Sequence, residues 1–464
     1  MARRLAIARP APAPARLATW RKLAYGVGDV IIGMRMTTFQ FYLMPFYTDV
    51  AGLPAWLAGV GRWLGFVWDG VNDPLTGYVS DRTRTRLGRR RPFLLAAALP
   101  LGLTFGLVWT PPAELSPLTS FVYLLLAYVV LDTFFTLYAT PYLALGAELS
   151  RDYHERTQLS AIRALFHILG LFAGGVVPGI VLKAWADDPA TGHAVMGFAM
   201  GAFMIVVALV PGLLLRETPP PRTAGAPLSW RAFAGGFAST LENRTFRIML
   251  ATFAFLMIGG GLHQTVLPYA FRYWLDRREM VPGVIGVYLA ATVCSLPLWT
   301  RLARDLGKDR ALKLCMLWAT VALAALPIAF SPDMSVLRLG LFLVLAGLGN
   351  GGWAVLPVAI VADIVDHDEL TTGERREGAY FGLWTLVMKL AAGLAAGVVG
   401  IALHLLGYVA NEVQTPTTVL GIRLLYGPIP ALFMLVALVT FRRFPLTRER
   451  HRQVQAALAA RRAS

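Results

Sequence analysis

Hydrophobic and polar positions form long alternating blocks along most of the 464-residue chain. Apolar stretches of about 20 residues, the length of helix that crosses roughly 30 Å of hydrocarbon, are separated by short polar segments. Membrane-spanning strands are shorter and alternate in polarity, so these stretches predict helices and exclude a closed barrel. Twelve of them occur, near residues 24–48, 55–79, 93–111, 119–146, 158–183, 194–215, 247–270, 282–300, 312–330, 336–362, 379–406 and 419–441.

The longest polar interruption divides the predicted helices into six and six. The predicted regions are a first six-helix half at 1–215, a central loop at 216–246, a second six-helix half at 247–441 and a basic tail at 442–464. Composition agrees with a membrane location, because 56% of the residues are hydrophobic and only 15% are charged, against about 25% charged in an average soluble domain. The predicted fold class is an all-α membrane protein.

The net charge of +16 raises the question of a nucleic-acid partner, but basic residues concentrate in alternate loops and in both terminal segments. Under the positive-inside rule this distribution predicts that both termini are cytoplasmic. We therefore expect a monomeric, multi-pass protein of a bacterial inner membrane, whose partners are the lipid bilayer and a small-molecule solute, and no nucleic acid. One loop is an exception, since Arg272, Arg277 and Arg278 fall on the predicted outer side.

A basic loop recurs after the second helix of each half. It reads G-Y-V-S-D-R-T-R-T-R-L-G-R-R-R in the first half and T-R-L-A-R-D-L-G-K-D-R in the second. Matching loops at matching positions indicate an internal duplication. Two six-helix halves around a central cavity are the architecture of the major facilitator transporters, and both loops resemble the signature of that superfamily.

The second apolar stretch contains two acids, Asp69 and Asp73, in the run W-D-G-V-N-D-P. Four residues apart, they share one helix face. A charge at mid-membrane costs at least about 2.5 kcal/mol, so it needs a partner or a cavity. One interpretation is a structural ion pair with Arg62 or with a lysine of another helix. The interpretation we favour is a site for Na⁺ or a proton, because carboxylate oxygens suit a hard cation.

Several further motifs resemble the glycoside-pentoside-hexuronide:cation symporters, the family of melibiose permease. The matching runs are Y-G-V-G-D at 25–29, F-Y-T-D-V-A-G-L at 46–53, W-D-G-V-N-D-P at 68–74, G-R-R-R-P-F at 88–93, T-P-Y-L-A-L-G-A-E-L-S-R-D-Y-H-E-R-T at 140–157 and A-D-I-V-D-H-D-E-L-T-T-G-E-R-R-E-G-A-Y-F-G at 362–382. The resemblance extends from the first predicted helix to the eleventh. It implies the major facilitator fold and cation-coupled solute transport.

The same resemblance implies a cation site in the first half. Its sodium ligands fall on Asp69, Asn72 and Asp73, with a further oxygen from Thr136 on the fourth helix. Lys389, in the eleventh helix, matches the family's membrane lysine and would neutralise the carboxylates when the cation leaves. No cofactor is expected beyond the coupling ion, Na⁺ or H⁺.

The predicted solute site departs from the family pattern. The two acids that hold galactosides in melibiose permease correspond here to Gly33 and Ala139, so galactoside recognition is not inherited. Arg35 either pairs with Asp69 or Asp73 or captures an anionic solute through its guanidinium fork. The substrate-binding candidates are Asp29, Arg35, Arg163, His263, Gln264, Trp353 and Trp384. His167, on the same face as Arg163, is expected to be a packing residue.

The predicted function is cation-coupled symport of a sugar or glycoside, which includes an anionic one such as a hexuronide. A second transport hypothesis is sodium-coupled movement of lysophospholipids. Hypotheses of another class are an intramembrane enzyme with Asp69 and Asp73 as an acid–base pair, and a sensor that does not transport. The acid pair of an intramembrane protease usually comes from two helices, whereas these share one, so we expect no enzyme.

Overall fold

The computed structural model describes residues 17–112, 115–150, 152–217, 237–374 and 376–463. Parts of all four predicted regions lie outside them, namely residues 1–16, 113–114 and 151 of the first half, 218–236 of the central loop, Arg375 of the second half and Ser464 of the tail. The first helical segment, α1, is a run of contiguous pieces: Thr19–Gly26, Val27–Asp29, Val30–Thr38, Phe39–Leu43 and Met44–Asp49. The others in the first half are α2 Ala55–Arg82, α3 Arg91–Val108, α4 Pro117–Leu149, α5 Tyr153–Ala184 and α6 Pro189–Leu214.

The second half repeats this number of segments. They are α7 Arg244–Tyr269 with its π-helical extension Ala270–Trp274, α8 Val281–Leu306, α9 Lys308–Ala329, α10 Val336–Thr372, α11 Glu377–Leu405 and α12, which consists of Pro416–Tyr426 and Pro428–Phe441. A final helix, α13, spans Arg448–Ala463. Among the described residues, ten segments are long and apolar enough to cross a membrane; α1 is broken into pieces, and α2 carries two buried charges, Arg62 and Asp69. The prediction of an all-α protein with twelve membrane helices is confirmed.

Polar side chains fix where many of these helices begin. Ser116, Asp152, Asp188 and Asn243 each accept a hydrogen bond from a backbone N–H of the first turn that follows. These groups satisfy donors that the helix itself leaves unpaired, and each such cap contributes about 1 kcal/mol. Short polar loops therefore define the helix starts as well as the boundaries of the apolar blocks.

The two halves contact each other mainly where α2 packs against α11 and α5 packs against α8. The α2–α11 contact is close because glycines face it. A Cβ atom at Gly59 would lie 2.8 Å from the carbonyl oxygen of Ala396, and one at Gly400 would lie 2.3 Å from that of Ala55. Small residues that let backbones approach are typical of helix packing in membranes. This contact brings the acids of α2 next to α11.

The basic tail forms a helix, which the sequence analysis does not predict. Helix α13 packs on α10 through Val454 and Leu458, which are 5% and 4% exposed. Gln455 Nε2 donates to Asp366 at 2.7 Å, and His451 Nε2 lies 3.4 Å from Asp363. Helix α13 and the start of α1 mark one end of the bundle, here called the terminal end. The other end, which carries the loop 50–54, is called the first-loop end.

Candidate functional site

Asp69 and Asp73 of α2 share one cationic partner in the other half of the protein. Lys389 Nζ, on α11, lies 2.9 Å from Asp69 and donates a hydrogen bond to Asp73. The Asp69 side chain is 9% exposed and that of Asp73 is 37% exposed. The partner is therefore a lysine of another helix, one of the two partners considered above, and not Arg62. Because Lys389 carries one charge and faces two carboxylates, this triad keeps a net negative charge that a small cation would neutralise.

The other two predicted cation ligands lie where α2 packs against α4. Asn72 donates through Nδ2 to the backbone oxygen of Asp132 at 3.4 Å. The Oδ1 atom of Asn72 accepts one long hydrogen bond, from the Thr76 hydroxyl at 3.4 Å, and is otherwise available to a cation. Thr136 is 1% exposed, and its hydroxyl has no hydrogen-bond partner among the described residues. It lies near the Asp73 carboxylate. The arrangement offers carboxylate, amide and hydroxyl oxygens, the donor set that suits Na⁺.

Arg35 pairs with Asp132 of α4, a residue that the sequence analysis did not single out. Asp132 is fully buried, and the Arg35 guanidinium lies 4.0 Å from the ring centre of Phe135. The partner of Arg35 is thus neither Asp69 nor Asp73. One oxygen of Asp132 and Nε of Arg35 have no hydrogen-bond partner in the part of the chain that is described. An acid within an apolar run was the signal used for Asp69, and it would have identified Asp132 as well.

Three of the remaining polar residues of the first half form a separate cluster between α1 and α5. Arg163 Nε lies 3.5 Å from Asp29, and His167 Nδ1 lies 3.7 Å from the other oxygen of that carboxylate. The side chains of Arg163 and His167 are 36% and 31% exposed. The structure thus brings together two predicted substrate residues and adds His167, which the sequence analysis assigned to packing.

The position of Gly33 explains why no acid is found there. A Cβ atom on Gly33 would lie 2.3 Å from the backbone oxygen of His167 on α5. Any side chain would separate α1 from α5, so an aspartate is sterically excluded. Ala139, at the second position, is 8% exposed and belongs to the apolar core.

The candidates of the second half divide into two groups. His263, Gln264 and Trp353 line a cavity of about 80 Å³. His263 stacks on Tyr426 with ring centres 4.5 Å apart, and its Nδ1 lies 2.8 Å from the Tyr426 backbone oxygen. Trp384 instead stacks on Phe253 at 3.7 Å and is only 4% exposed. The structure therefore gives Trp384 a packing contact and does not bring it to that cavity.

At the first-loop end, Asp49 of α1 ties the first half to the second. Arg272 Nη1 lies 2.5 Å from its carboxylate, and the hydroxyls of Tyr273 and Tyr408 donate to it. Burial, with the neighbouring phenol of Tyr269 and the negative charge of Asp49, holds the pKa of Tyr408 well above its ordinary value, so the phenol stays a donor. Arg272 is one of the arginines that departed from the positive-inside pattern. This contact joins the two halves at the first-loop end.

The profile of a sequence family described as MFS/sugar transport protein matches residues 24–448. The chain belongs to the MFS/sugar transport protein family. The predicted resemblance to the glycoside-pentoside-hexuronide:cation symporters is thereby confirmed. Among similar proteins, an uncharacterised symporter of Synechocystis is 29% identical over 95% of this chain and 96% of that protein.

Other relatives within this comparison have names that state a solute. The glucuronide carrier protein homolog of Escherichia coli is 27% identical over 94% of both chains. Sodium-dependent lysophosphatidylcholine symporter 1-A of Danio rerio is 24% identical over 94% of this chain and 87% of that protein. Both are named as transport proteins rather than enzymes.

The fold of this MFS/sugar transport protein is also that of solved transporters. The structure of a bacterial homologue of the human lysosomal transporter Spinster, inward-facing and occupied, superposes with a TM-score of 0.67 at 14% identity, over 93% of this chain and 97% of that one. The similarity at this identity concerns the fold alone. It confirms the prediction of the major facilitator fold for this multi-pass membrane protein.

Proposed function

We propose that this protein is a secondary active transporter that couples Na⁺ or H⁺ to the movement of a sugar or glycoside. The observation that carries the proposal is the contact of Lys389 with both Asp69 and Asp73. It joins the acids of one half to a lysine of the other, at the position where a coupling cation would bind. The cation ligands in this proposal are Asp69, Asn72, Asp73 and Thr136.

A cation at this site competes with Lys389 for the two carboxylates. Its binding releases an ionic contact between α2 and α11 and so changes the relative stability of the arrangements of the halves. A ligand shifts such an equilibrium only through different affinities for the two arrangements. Lys389 supplies that difference, because it replaces the cation in one arrangement and is released in the other.

The proposed orientation follows from the distribution of basic residues, with both termini in the cytoplasm of a bacterial cell. The first-loop end then faces outward and is closed by Asp49 and Arg272. The Asp73 side chain is exposed by more than a third, and in this proposal it is reached from the cytoplasm. This arrangement is the one in which an importer releases its cation and solute.

For the solute, Asp29, Arg35 and Arg163 are the proposed contacts in the first half, with His263, Gln264 and Trp353 in the second. The glucuronide carrier homolog among the relatives supports a glycoside. A single lysine holds both Asp69 and Asp73, which does not suit an acid–base pair, so we infer a transporter and not an intramembrane enzyme. A non-transporting sensor would bind solute without flux.

Movement of lysophospholipids is the second candidate function. It is favoured by the lysophosphatidylcholine symporter from Danio rerio, whose similarity covers 94% of this chain. The same acids and lysine would then couple the cation to a lipid.

Uptake into proteoliposomes tests the proposal. The solutes are a β-glucoside, a β-glucuronide and lysophosphatidylcholine, each measured with an inward Na⁺ gradient, an inward proton gradient and no gradient. We expect a cation gradient to drive a glycoside above equilibrium. Flux of lysophosphatidylcholine alone would refute the proposal of sugar transport. Binding of a solute without any flux would support a sensor.

Asp73→Asn tests the cation site in the same assay. Loss of a carboxylate ligand should cost about 3 kcal/mol or more of cation binding, at least a hundredfold in affinity, and abolish accumulation. Asp187→Asn, an exposed acid of the α5–α6 loop, is the matched control and should behave as wild type. Accumulation by Asp73→Asn at the wild-type level would contradict the proposed site.

A further inference from the structure

Arg62 is a buried base without a carboxylate partner in the described part of the chain. It is 3% exposed, and its Nη2 donates to Gln40 Oε1 at 2.7 Å. Its Nε and Nη1 have no hydrogen-bond partner among the described residues. A buried guanidinium cannot lose its proton, and two unmet donors on it are costly. This differs from Arg35 and Lys389, which both have carboxylate partners.

Arg62 lies at the boundary between the two halves. The side-chain amide of Gln40 donates to the hydroxyl of Thr265 on α7 at 3.3 Å, so a chain of two hydrogen bonds joins Arg62 to the other half. Tyr269 of α7 is near enough to interact with it electrostatically. The unmet donors therefore lie where a solute between the halves would contact both.

The balance of charge links Arg62 to the proposed cation site. Arg35 and Asp132 neutralise each other, whereas Asp69, Asp73 and Lys389 together leave one negative charge. Arg62 lies seven residues before Asp69 on the same face of α2, about 10 Å away along the helix. The surplus negative charge of the triad thus offsets Arg62 at a distance. A cation bound between the acids removes that offset.

We infer that Arg62 binds the acidic group of a monoanionic solute, and that the bound cation strengthens this contact. The inference rests on the proposed symport and deepens it, because it assigns the charge of the solute and the residue that recognises it. A carboxylate accepts from Nη2 and one neighbouring guanidinium nitrogen at once, and so satisfies one of the two donors that the protein leaves unmet. At about 10 Å and an effective dielectric constant of roughly 20, cation binding should raise anion affinity on the order of tenfold.

The test compares two ligands that differ only in the acidic group. The affinities of 4-nitrophenyl β-glucuronide and 4-nitrophenyl β-glucoside for the purified full-length protein are measured by calorimetry, with and without saturating Na⁺, and with Na⁺ replaced by low pH. We expect the glucuronide to bind at least tenfold more tightly than the glucoside, and the coupling cation to increase that ratio. Equal affinities of the two ligands in the wild-type protein would overturn the inference.

Arg62→Gln keeps a polar side chain but removes the charge. It should remove the preference for the glucuronide and leave glucoside binding within about twofold. Cation binding without solute should become stronger, on the order of tenfold, because a positive charge about 10 Å from the cation site is lost. Arg62→Lys keeps the charge without the fork and should retain an intermediate preference, which serves as the readout if Arg62→Gln does not fold. Arg338→Gln, at an exposed position, is the control. An equal loss of both ligands in Arg62→Gln would mean a structural role and would also overturn the inference.

The binding experiment gives a different result if the proposed transport of a glycoside is wrong. If wild-type protein binds neither glycoside, the sugar assignment is refuted, and the ligand pair becomes a 1-acylglycerol-3-phosphomethanol, which is a monoanion, and the uncharged 1-acylglycerol. Arg62 should then account for the preference for the anionic lipid. Equal binding of these two lipids would refute the role of Arg62 as well.

Discussion

The effect of replacing Asp132 on the stability of the protein depends on its partner, Arg35. Asp132 is fully buried against Arg35, and the sequence analysis placed neither of them with the other. Two charges in a low-dielectric site gain little net energy over apolar residues, but either one alone is strongly destabilising. The pair is therefore a stringent test of the arrangement of α1 and α4.

Asp132→Asn should destabilise the protein by about 3 to 5 kcal/mol, because Arg35 keeps its charge and loses its counterion. The double variant Arg35→Met with Asp132→Leu should recover most of that loss. Thermal unfolding in detergent measures both, with Asp187→Asn as the control for loss of an acid at the surface. If the double variant is as unstable as Asp132→Asn alone, the two residues are not coupled as the structure indicates.

The residues of the candidate site, and their partners, could be predicted from the sequence to different degrees. Asp69, Asp73 and Lys389 are charged residues deep within apolar stretches, where the cost of burial makes each one conspicuous. Their mutual contact was one of the expected alternatives, and the structure places them together. Arg62 and Asp132 carry the same signal, yet their partners depend on which helices meet, and a single sequence does not contain that information. The assignment of these residues to cation and solute stays a prediction.

At the scale of elements, the packing of α1 against α5 depends on glycines. Gly33→Ala places a Cβ atom 2.3 Å from the backbone oxygen of His167, and a backbone carbonyl has no rotamer with which to move away. Overpacking of this kind costs about 1 to 3 kcal/mol, and the shift of α1 should also move Asp29 away from Arg163. We expect a lower unfolding temperature and weaker solute binding.

Gly283→Ala is the matched control for this substitution. Gly283 lies in α8 and has no atom within 4 Å of its Cβ position, so alanine should be neutral or slightly stabilising through its better helix propensity. Equal stability of both variants would show that α1 and α5 are further apart than described.

The twelve membrane helices could be predicted from the sequence, but the interruptions within α1 and the helix in the basic tail could not. The apolar blocks predicted the twelve membrane segments because each must satisfy its own backbone in lipid. The interruptions at Val27–Asp29 and Phe39–Leu43 in α1 have no such signal. Helix α13 was missed for a different reason: its charged residues lie at both ends, it contains no long apolar stretch, and only a few residues such as Val454 and Leu458 become buried.

At the scale of the molecule, the internal repeat of basic loops predicted two halves but not how they are joined. The closure at the first-loop end depends on Asp49 and Arg272, which lie 223 residues apart in the chain. The sequence offered only an indirect sign of it, an arginine on the side where the charge rule expects few. Its partner was not predictable, because Asp49 lies at a helix end, where an acid usually faces water.

If the halves rock against each other, a covalent link at this closure should stop transport. In a variant with Cys294→Ser and Cys315→Ala, cysteines at positions 49 and 272 are joined by a short, reducible bifunctional thiol reagent. We expect uptake to cease after cross-linking and to return after reduction. Cation binding at Asp73 should persist in the linked protein, because that carboxylate stays exposed while the first-loop end is closed.

The control is a link of similar reach within one half. Lys22 and Gln158 join α1 to α5, with Nζ 2.7 Å from Oε1, and both move with the first half in a rocking motion. Cysteines at these positions should cross-link without loss of uptake. Inhibition by the 22–158 link, or unchanged uptake with the 49–272 link, would be inconsistent with rigid halves that alternate. Inhibition by the 49–272 link alone means that opening at Asp49 is a required step of each transport cycle.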